Sequence, residues 1–144
     1  MSLEFPFVVR MRVRGPEIDS WGHVNNAVYL QWFEHARWEM ARISNLIERF
    51  EGALPYVRSV HLDFLKETLY GDVVEVRLWP DSLGDSSFVL GGDIRVVEAE
   101  DGRRVGLTVM TSSMAFTMVK PGVGKQPVPP FFRKYFSSDP TPSS

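Results

Sequence analysis

The 144-residue sequence contains no cysteine and only three histidines, His23, His35 and His61. Without cysteine there is no disulfide, no catalytic thiol and no thiolate metal ligand, so any nucleophile must be oxygen or nitrogen. No two histidines stand four residues apart and no His-Glu-x-x-His arrangement is present, so we predict no metal site. Gly-x-Ser-x-Gly elbows and glycine-rich phosphate loops are also missing, which excludes a serine hydrolase of that type and predicts no cofactor.

The sequence also lacks a large excess of charge of one sign and long apolar runs. The formal net charge is −2 and no Lys/Arg-rich block occurs, so no nucleic acid partner is expected. No apolar run reaches the length of a membrane span, and the first residues lack the basic-then-apolar plan of a signal peptide. These absences predict a cytoplasmic protein without a membrane partner.

The composition that remains is that of a soluble globular domain, with 44% hydrophobic and 24% charged residues. A chain of this length is large enough to bury one core and too short for two ordinary ones. We therefore expect a single domain over residues 1–136. The Ser/Pro-rich residues 137–144 are expected to form a mobile tail.

Alternation and helical spacing predict the first elements of this domain. Residues 9–14 read Val-Arg-Met-Arg-Val-Arg, which is the pattern of a half-buried strand. Apolar residues at helical spacing then predict a helix from Ala27 to about Asn45. Asn25 or Asn26 can serve as its N-cap, because an Asn side chain accepts a hydrogen bond from the unpaired amides of the first turn.

Four strand-like segments separated by turn signals follow the helix, at residues 56–66, 72–80, 86–98 and 103–119. This order predicts an α+β domain in which one antiparallel sheet curls around one long helix. Leu30, Trp32 and Trp38 widen the apolar surface of the helix, so we expect it to be covered on more than one side. The pair Gly91-Gly92 predicts a bulge, or a place where the helix or a ligand approaches the sheet closely.

The most informative stretch for chemistry is the loop before the helix, where Asp19 lies a few residues ahead of the first turn. Gly22 in this loop is free to adopt a positive φ. The first amides of a helix point outward with a partial positive charge. A carboxylate beside them can attack an acyl carbonyl or activate water, and oriented amides stabilise the resulting oxyanion by about 3 to 4 kcal/mol.

A family resemblance is carried by Asp19-x-x-Gly22-His23-Val24-Asn25-Asn26, followed by Tyr29-Leu30 and Phe33-Glu34-x-Ala36-Arg37. This pattern resembles the 4-hydroxybenzoyl-CoA thioesterase branch of the hotdog-fold superfamily, and within it the long-chain acyl-CoA thioesterases. The run Val60-x-Leu62-Asp63-Phe64-Leu65, with Gly71-Asp72-x-Val74 after it, is similar to the family's second strand and following turn. The resemblance covers roughly residues 8–119.

The resemblance implies a hotdog fold that hydrolyses acyl-CoA. It implies that Asp19 acts as nucleophile through a transient acyl-enzyme anhydride, or as general base for water. The backbone amide of Asn26, together with that of Ala27, would polarise the thioester carbonyl. It further implies a homodimer or homotetramer with active sites at the subunit interface. Some relatives carry Tyr or His near the start of the helix, where this chain has Asn26.

Structural interpretations of the loop residues stand beside these roles. Asp19 can cap the loop or the helix, which is the commonest use of an Asp before a helix. His23 can donate to loop carbonyls or orient the loop for substrate. Asn25 is a cap whether or not catalysis occurs.

The remaining candidates are also open to two interpretations. His61 alternates with Val60 and Leu62, so it faces away from the main apolar set and lines either the active site or the dimer contact. Four aromatic residues can line an acyl pocket or pack in the core, namely Trp21, Tyr29, Phe33 and Phe64.

Two other functions fit the same fold. A thioesterase acting on acyl carrier protein performs the same chemistry on a tethered chain, but it needs a basic docking face, which the net charge of −2 disfavours. A hotdog module that binds acyl groups without turnover would not need the carboxylate that Asp19 supplies. Hydrolysis of acyl-CoA is therefore the leading prediction, with the length and the aromatic or fatty character of the acyl group left open.

Overall fold

The computed structural model describes residues 3–136, so the tail predicted at residues 137–144 lies outside the described residues. The strands are β1 (Phe7–Arg12), β2 (Leu54–Phe64), β3 (Val73–Leu83), β4 (Ser87–Glu98), β5 (Thr108–Lys120) and β6 (Gly124–Lys125). The helices are α1 (Asn26–Ser44), α2 (Leu46–Arg49) and α3 (Pro130–Arg133), with 3₁₀ turns at Gly15–Glu17, Gly102–Arg104 and Lys134–Phe136. Within residues 3–136, no helix combines the length and apolar character needed to cross a membrane.

All strands belong to one antiparallel sheet with the order β1-β3-β4-β5-β2, and the short β6 pairs with the end of β5. In this order β1 and β2 are the outer strands. Residues that lie opposite one another in neighbouring strands share a face of the sheet. Val76 lies opposite Ile94, and Ile94 lies opposite Met110. These three side chains are fully buried on the concave face, where the sheet curls around α1.

The helix α1 fills the concave face with a stripe of apolar side chains. Phe33 and Ala36 are fully buried and Met40 is 2% exposed. Burying a large apolar side chain contributes about 1.5 to 3 kcal/mol, so this stripe fixes the position of the helix on the sheet. The helix ends at Ser44, and its C-cap residue Asn45 adopts the left-handed conformation with φ 52°.

The prediction that α1 is covered on more than one side is wrong at Trp38, which is 59% exposed. Trp32 is 4% exposed, as predicted. Trp38 instead borders an open cavity between α1 and β2, together with Tyr56 and Val57. The apolar surface of the helix is therefore wider than the surface that one chain covers.

Several strand boundaries differ from the prediction, and for three of the strands the structure shows a local reason. The first strand lies two residues earlier, because a 3₁₀ turn forms at Gly15–Glu17. β3 continues through Pro80 to Leu83, since the register shifts at this point and accommodates the proline. The last long strand begins at Thr108, because the Asp101 side chain accepts from the Arg103 amide and caps a 3₁₀ turn.

The predicted close approach at the glycine pair is confirmed at Gly92. A Cβ atom there would lie 2.9 Å from Cε1 of Phe33 on the helix and 2.9 Å from the carbonyl oxygen of Arg77. It would also lie 2.7 Å from Oγ of Ser112 on the neighbouring strand. The helix therefore rests directly on the backbone of β4 at this point.

Gly92→Ala is expected to lower the free energy of unfolding by about 1 to 3 kcal/mol, because the added methyl must displace Phe33 or the backbone of β3. Urea denaturation followed by circular dichroism measures the change. Gly102→Ala is the matched control, since nothing lies within 4 Å of its Cβ position. A Gly92→Ala protein as stable as the native one would contradict the close approach.

Candidate active site

Asp19 lies in a tight loop between β1 and α1 whose backbone folds back on itself. The Asp19 amide donates to the carbonyl of His23 at 2.8 Å, and the Gly22 amide donates to the carbonyl of Asp19 at 3.1 Å. Gly22 has φ 85°, a conformation that a side chain would disfavour. The positive φ predicted for Gly22 is therefore confirmed, and it closes the loop around the carboxylate.

One carboxylate oxygen of Asp19 holds this loop together. Oδ1 accepts hydrogen bonds from the amides of Trp21 at 2.9 Å and His23 at 3.4 Å. Among residues 3–136, no donor bonds to Oδ2. Asp19 therefore has the capping role that the sequence allowed, and it also keeps a second oxygen for a ligand.

Long-range contacts fasten the loop to the segment between β2 and β3. The Val24 amide donates to the carbonyl of Thr68 at 2.9 Å, and His23 forms a bridge with Leu69. Nε2 of His23 lies 2.8 Å from Oε2 of Glu67. This contact joins the His23 side chain to the segment between β2 and β3.

Glu17 supports the same loop from the interior. Its Oε2 accepts from the Trp32 indole at 2.7 Å, and its Oε1 accepts from the Arg14 amide at 2.8 Å. Burial raises the pKa of Glu17, but the hydrogen bonds from Arg14 and Trp32 together hold that pKa below its ordinary value. The Glu17 carbonyl also accepts from the Asn25 amide at 2.9 Å, so the start of α1 is held by the same residue.

At the N-terminus of α1, one backbone amide donates to no acceptor within residues 3–136. Oδ1 of Asn25 accepts from the Ala27 amide at 2.9 Å, so Asn25 is the cap, as predicted. The expected contribution of Ala27 to carbonyl polarisation is corrected by this bond, because the Ala27 amide is already engaged. The Asn26 amide donates to no acceptor among residues 3–136, which leaves it available to a ligand.

Asp19 and Asn26 line the same open recess, which has a volume of about 400 Å³. Tyr29, 3% exposed, forms its inner wall, and the Tyr29 ring lies 5.8 Å from that of Phe64 in an edge-on contact. Trp21 lies at the rim and is 81% exposed. The remaining lining residues are His23, Val24, Leu65, Lys66 and Glu67.

The Tyr29 hydroxyl is directed into the protein rather than left free. It donates to Oγ1 of Thr68 at 2.9 Å, and burial raises the pKa of the Tyr29 phenol above its ordinary value. Tyr29 therefore stays protonated at neutral pH and shapes the recess through its ring.

Two predicted site residues lie elsewhere. Phe33 is fully buried against Gly92, so it belongs to the core and not to the recess. His61 is on the outer face of β2, where its Nε2 lies 3.2 Å from both carboxylate oxygens of Asp63 and its side chain is 72% exposed. Strand alternation turns His61 away from Phe64, so it does not line the recess of its own chain.

Sequence reasoning missed Glu67, Thr68 and Glu17. Glu67 and Thr68 reach the loop from more than 40 residues away, and no periodic pattern marks a contact of that kind. Glu17 had one available signal, because it follows Arg14 by three residues. At this spacing a glutamate reaches back to a backbone amide.

This arrangement is suited to acyl transfer. It brings a half-buried carboxylate with one free oxygen and an unpaired helix-terminal amide to one recess with an aromatic wall. A carbonyl oxygen bound at the amide would expose its carbon to the carboxylate or to a water beside it.

Comparison with known proteins agrees with this chemistry. The 4HBT family model, described as the thioesterase superfamily, matches residues 21–103, beginning two residues after Asp19. Uncharacterized protein YsmA of Bacillus subtilis (strain 168) is 26% identical over 86 residues. That match spans 60% of this chain and 58% of YsmA, so the chain covers less than two thirds of this relative.

Solved structures share the fold over nearly the whole chain. The PA2801 protein from Pseudomonas aeruginosa is 27% identical with a TM-score of 0.76, covering 90% of this chain and 96% of its own. Slr0204, a 1,4-dihydroxy-2-naphthoyl-CoA thioesterase from Synechocystis, is 18% identical with a TM-score of 0.73, covering 94% of this chain and 98% of its own. The second likeness shows a shared fold alone.

The family match extends over more than half of the chain and includes α1 and the segments that hold the loop. The hotdog fold and the thioesterase resemblance predicted from the sequence are thereby confirmed. The chain belongs to the thioesterase superfamily.

Proposed function

We propose that this protein hydrolyses acyl-CoA thioesters to the free acid and coenzyme A. Asp19 is the reacting carboxylate, and the Asn26 amide polarises the carbonyl. The observation that carries the proposal is the presence, in one recess, of a carboxylate oxygen and a helix-terminal amide that both lack a partner within residues 3–136.

Two routes suit a carboxylate in this position. In the first, Oδ2 of Asp19 attacks the carbonyl carbon, and the amide of Asn26 binds the tetrahedral oxyanion. The carbon–sulfur bond then breaks, the coenzyme A thiolate takes a proton from water, and a second water hydrolyses the anhydride to regenerate Asp19. In the second, Asp19 removes a proton from the attacking water and transfers it to the departing thiolate.

The surroundings of the recess are compatible with coenzyme A as the leaving group. Lys66 lies at the recess and offers a cation to a phosphate. The thioesterase from Synechocystis acts on a coenzyme A thioester, which supports the same leaving group here. Its acyl group is aromatic, so the comparison leaves the acyl class of this protein open.

We also propose that two copies pair through β2. This edge strand has 11 residues and exposes a row of apolar side chains, including Val57 at 42%, Val60 at 37% and Phe64 at 50%. A long, apolar and unpaired edge presents backbone donors and acceptors to another strand. Antiparallel pairing with a second β2 would satisfy them and cover those side chains.

Asp19→Asn is expected to lower kcat/KM for acyl-CoA by about a hundredfold or more. Asn keeps an oxygen that can accept from the Trp21 amide, so the loop should survive while the reactive carboxylate is lost. A thiol-reactive dye measures the released coenzyme A without background, because the chain has no cysteine. The substrate panel includes short and long acyl-CoAs, an aromatic acyl-CoA and an acyl carrier protein.

Asp81→Asn, an exposed change on β3, is the matched control and should retain native rates. A native protein that hydrolyses only the carrier-bound substrate would replace acyl-CoA with that substrate. A native protein that hydrolyses nothing, or an Asp19→Asn variant as fast as the native one, would contradict the proposal.

Val60→Glu is expected to raise the dimer dissociation constant by about a hundredfold or more. The two-fold symmetry brings the added negative charge of each subunit into the same contact, where the two charges repel each other. Val8→Glu is the matched control, since Val8 is 42% exposed on the opposite edge strand. Light scattering coupled to size-exclusion chromatography measures the mass. Equal masses for Val60→Glu and the native protein across a dilution series would contradict pairing through β2.

A further inference from the structure

An ion pair outside the Asp19 recess joins the segment that follows β2 to the hairpin between β4 and β5. Nη1 of Arg104 is 2.8 Å from Oδ1 of Asp72, and Nη2 of Arg104 is 2.8 Å from Oδ2. The two side chains are only 15% and 3% exposed. Within residues 3–136, neither of them lines the recess, and Arg104 lies one residue beyond the end of the family match. The chemistry described above therefore leaves this pair without a role.

The pair binds the backbone of residues 67–69, which we call the wall segment. Nη2 of Arg104 donates to the carbonyl oxygen of Glu67 at 3.0 Å. Oδ2 of Asp72 accepts from the Leu69 amide at 2.9 Å, and the Asp72 amide donates to the Leu69 carbonyl at 3.1 Å. Both ends of the wall segment are thereby held by the ion pair.

The wall segment in turn contacts three residues that line the recess. Oε2 of Glu67 lies 2.8 Å from Nε2 of His23. The Thr68 carbonyl accepts from the Val24 amide at 2.9 Å, and Oγ1 of Thr68 accepts from the Tyr29 hydroxyl at 2.9 Å. Thr68 is fully buried, and a close-packed interior transmits such a shift to its neighbours. A displacement of the wall segment would therefore reach both the loop before α1 and the aromatic wall of the recess.

Stability alone is a weak explanation for this ion pair. The desolvation of two buried charges offsets much of their attraction, so such a pair adds little to the free energy of unfolding. Geometry is a stronger one, because a planar guanidinium that bonds both carboxylate oxygens and a backbone carbonyl fixes the three groups relative to one another. The hydrogen bond to Asp72 also raises the pKa of Arg104 above its ordinary value, so the guanidinium stays charged.

We propose that Arg104 is a positioning residue for thioester cleavage. Together with Asp72 it fixes the wall segment, and the wall segment fixes the loop that carries Asp19 and the ring of Tyr29 that shapes the recess. Arg104 acts through these residues and does not touch the substrate. This inference rests on the proposed thioester hydrolysis at Asp19.

The first arm of the test separates turnover from binding. Arg104→Gln is expected to lower kcat for acyl-CoA by about tenfold or more, because small displacements of reacting groups are costly in the transition state. KM should stay within about threefold of the native value, since Arg104 lies outside the recess. The rates are measured below the melting temperature of each variant, which circular dichroism supplies.

Arg103→Gln is the matched control. Arg103 lies in the same 3₁₀ turn and also forms an ion pair, with Asp101 at 3.1 Å, but its side chain is 92% exposed. This variant should keep the native kcat. A folded Arg104→Gln protein with the native kcat would overturn the inference.

Arg104→Lys guards against loss of the fold. It retains a positive charge beside Asp72, but a single ammonium group lacks the planar fork that bonds two carboxylate oxygens and the Glu67 carbonyl together. We expect kcat to fall by about threefold or more. A native kcat in Arg104→Lys would overturn the inference, because charge alone would then suffice.

The second arm observes the loop without substrate. The chain has three histidines, so ring carbon–proton correlations in an NMR spectrum give three signals. In Arg104→Gln the His23 signal should shift, because its partner Glu67 belongs to the wall segment, whereas the His61 signal should stay at its native position on the outer face of β2. An unchanged His23 signal would overturn the inference.

The outcomes also separate this inference from the proposed function. A native protein that hydrolyses acyl-CoA, with Arg104→Gln as fast as the native chain, overturns the positioning role alone. A native protein that hydrolyses no thioester overturns the proposed function and the positioning role together.

Discussion

A single helix is too narrow to cover the concave face of this sheet. An α-helix with its side chains is about 10 to 12 Å across, whereas five strands spaced by about 4.8 Å span roughly 19 Å. Accordingly, Val57, Val60 and Phe64 of β2 stay 37 to 50% exposed in one chain although they are apolar. The proposed dimer depends on this uncovered strand.

The other half of the site depends on how firmly the loop before α1 is held. The conformation of Asp19 depends on a glycine turn and on two amides that donate to one of its carboxylate oxygens. The rest of the loop is held by backbone bonds from Val24 to Thr68 and from Asn25 to Glu17. A loop fixed at both ends holds the free carboxylate oxygen and the Asn26 amide in a fixed position relative to each other. Such preorganisation is what makes amide stabilisation of an oxyanion effective, because little reorganisation is needed during the reaction.

The sequence predicted the features that depend on neighbouring residues. Alternation located β1 to within two residues, the cap at Asn25 started α1, and Gly92 marked the contact with Phe33. Features that depend on distant segments were missed or misplaced. Phe33 fits a pocket pattern but is buried by β4, and the contact of Glu67 with His23 joins segments with no shared periodicity. The exposure of Trp38 shows the same limit, because apolar width on a helix does not reveal which chain covers it.

A crystal structure of the native protein with a long-chain acyl-CoA analogue, in which a methylene replaces the thioester sulfur, tests the central claim most directly. We expect the ketone oxygen to lie about 3 Å from the Asn26 amide nitrogen. The ketone carbon should face Asp19. An analogue bound away from Asp19, with the Asn26 amide unoccupied, would contradict the assignment of this recess as the catalytic centre.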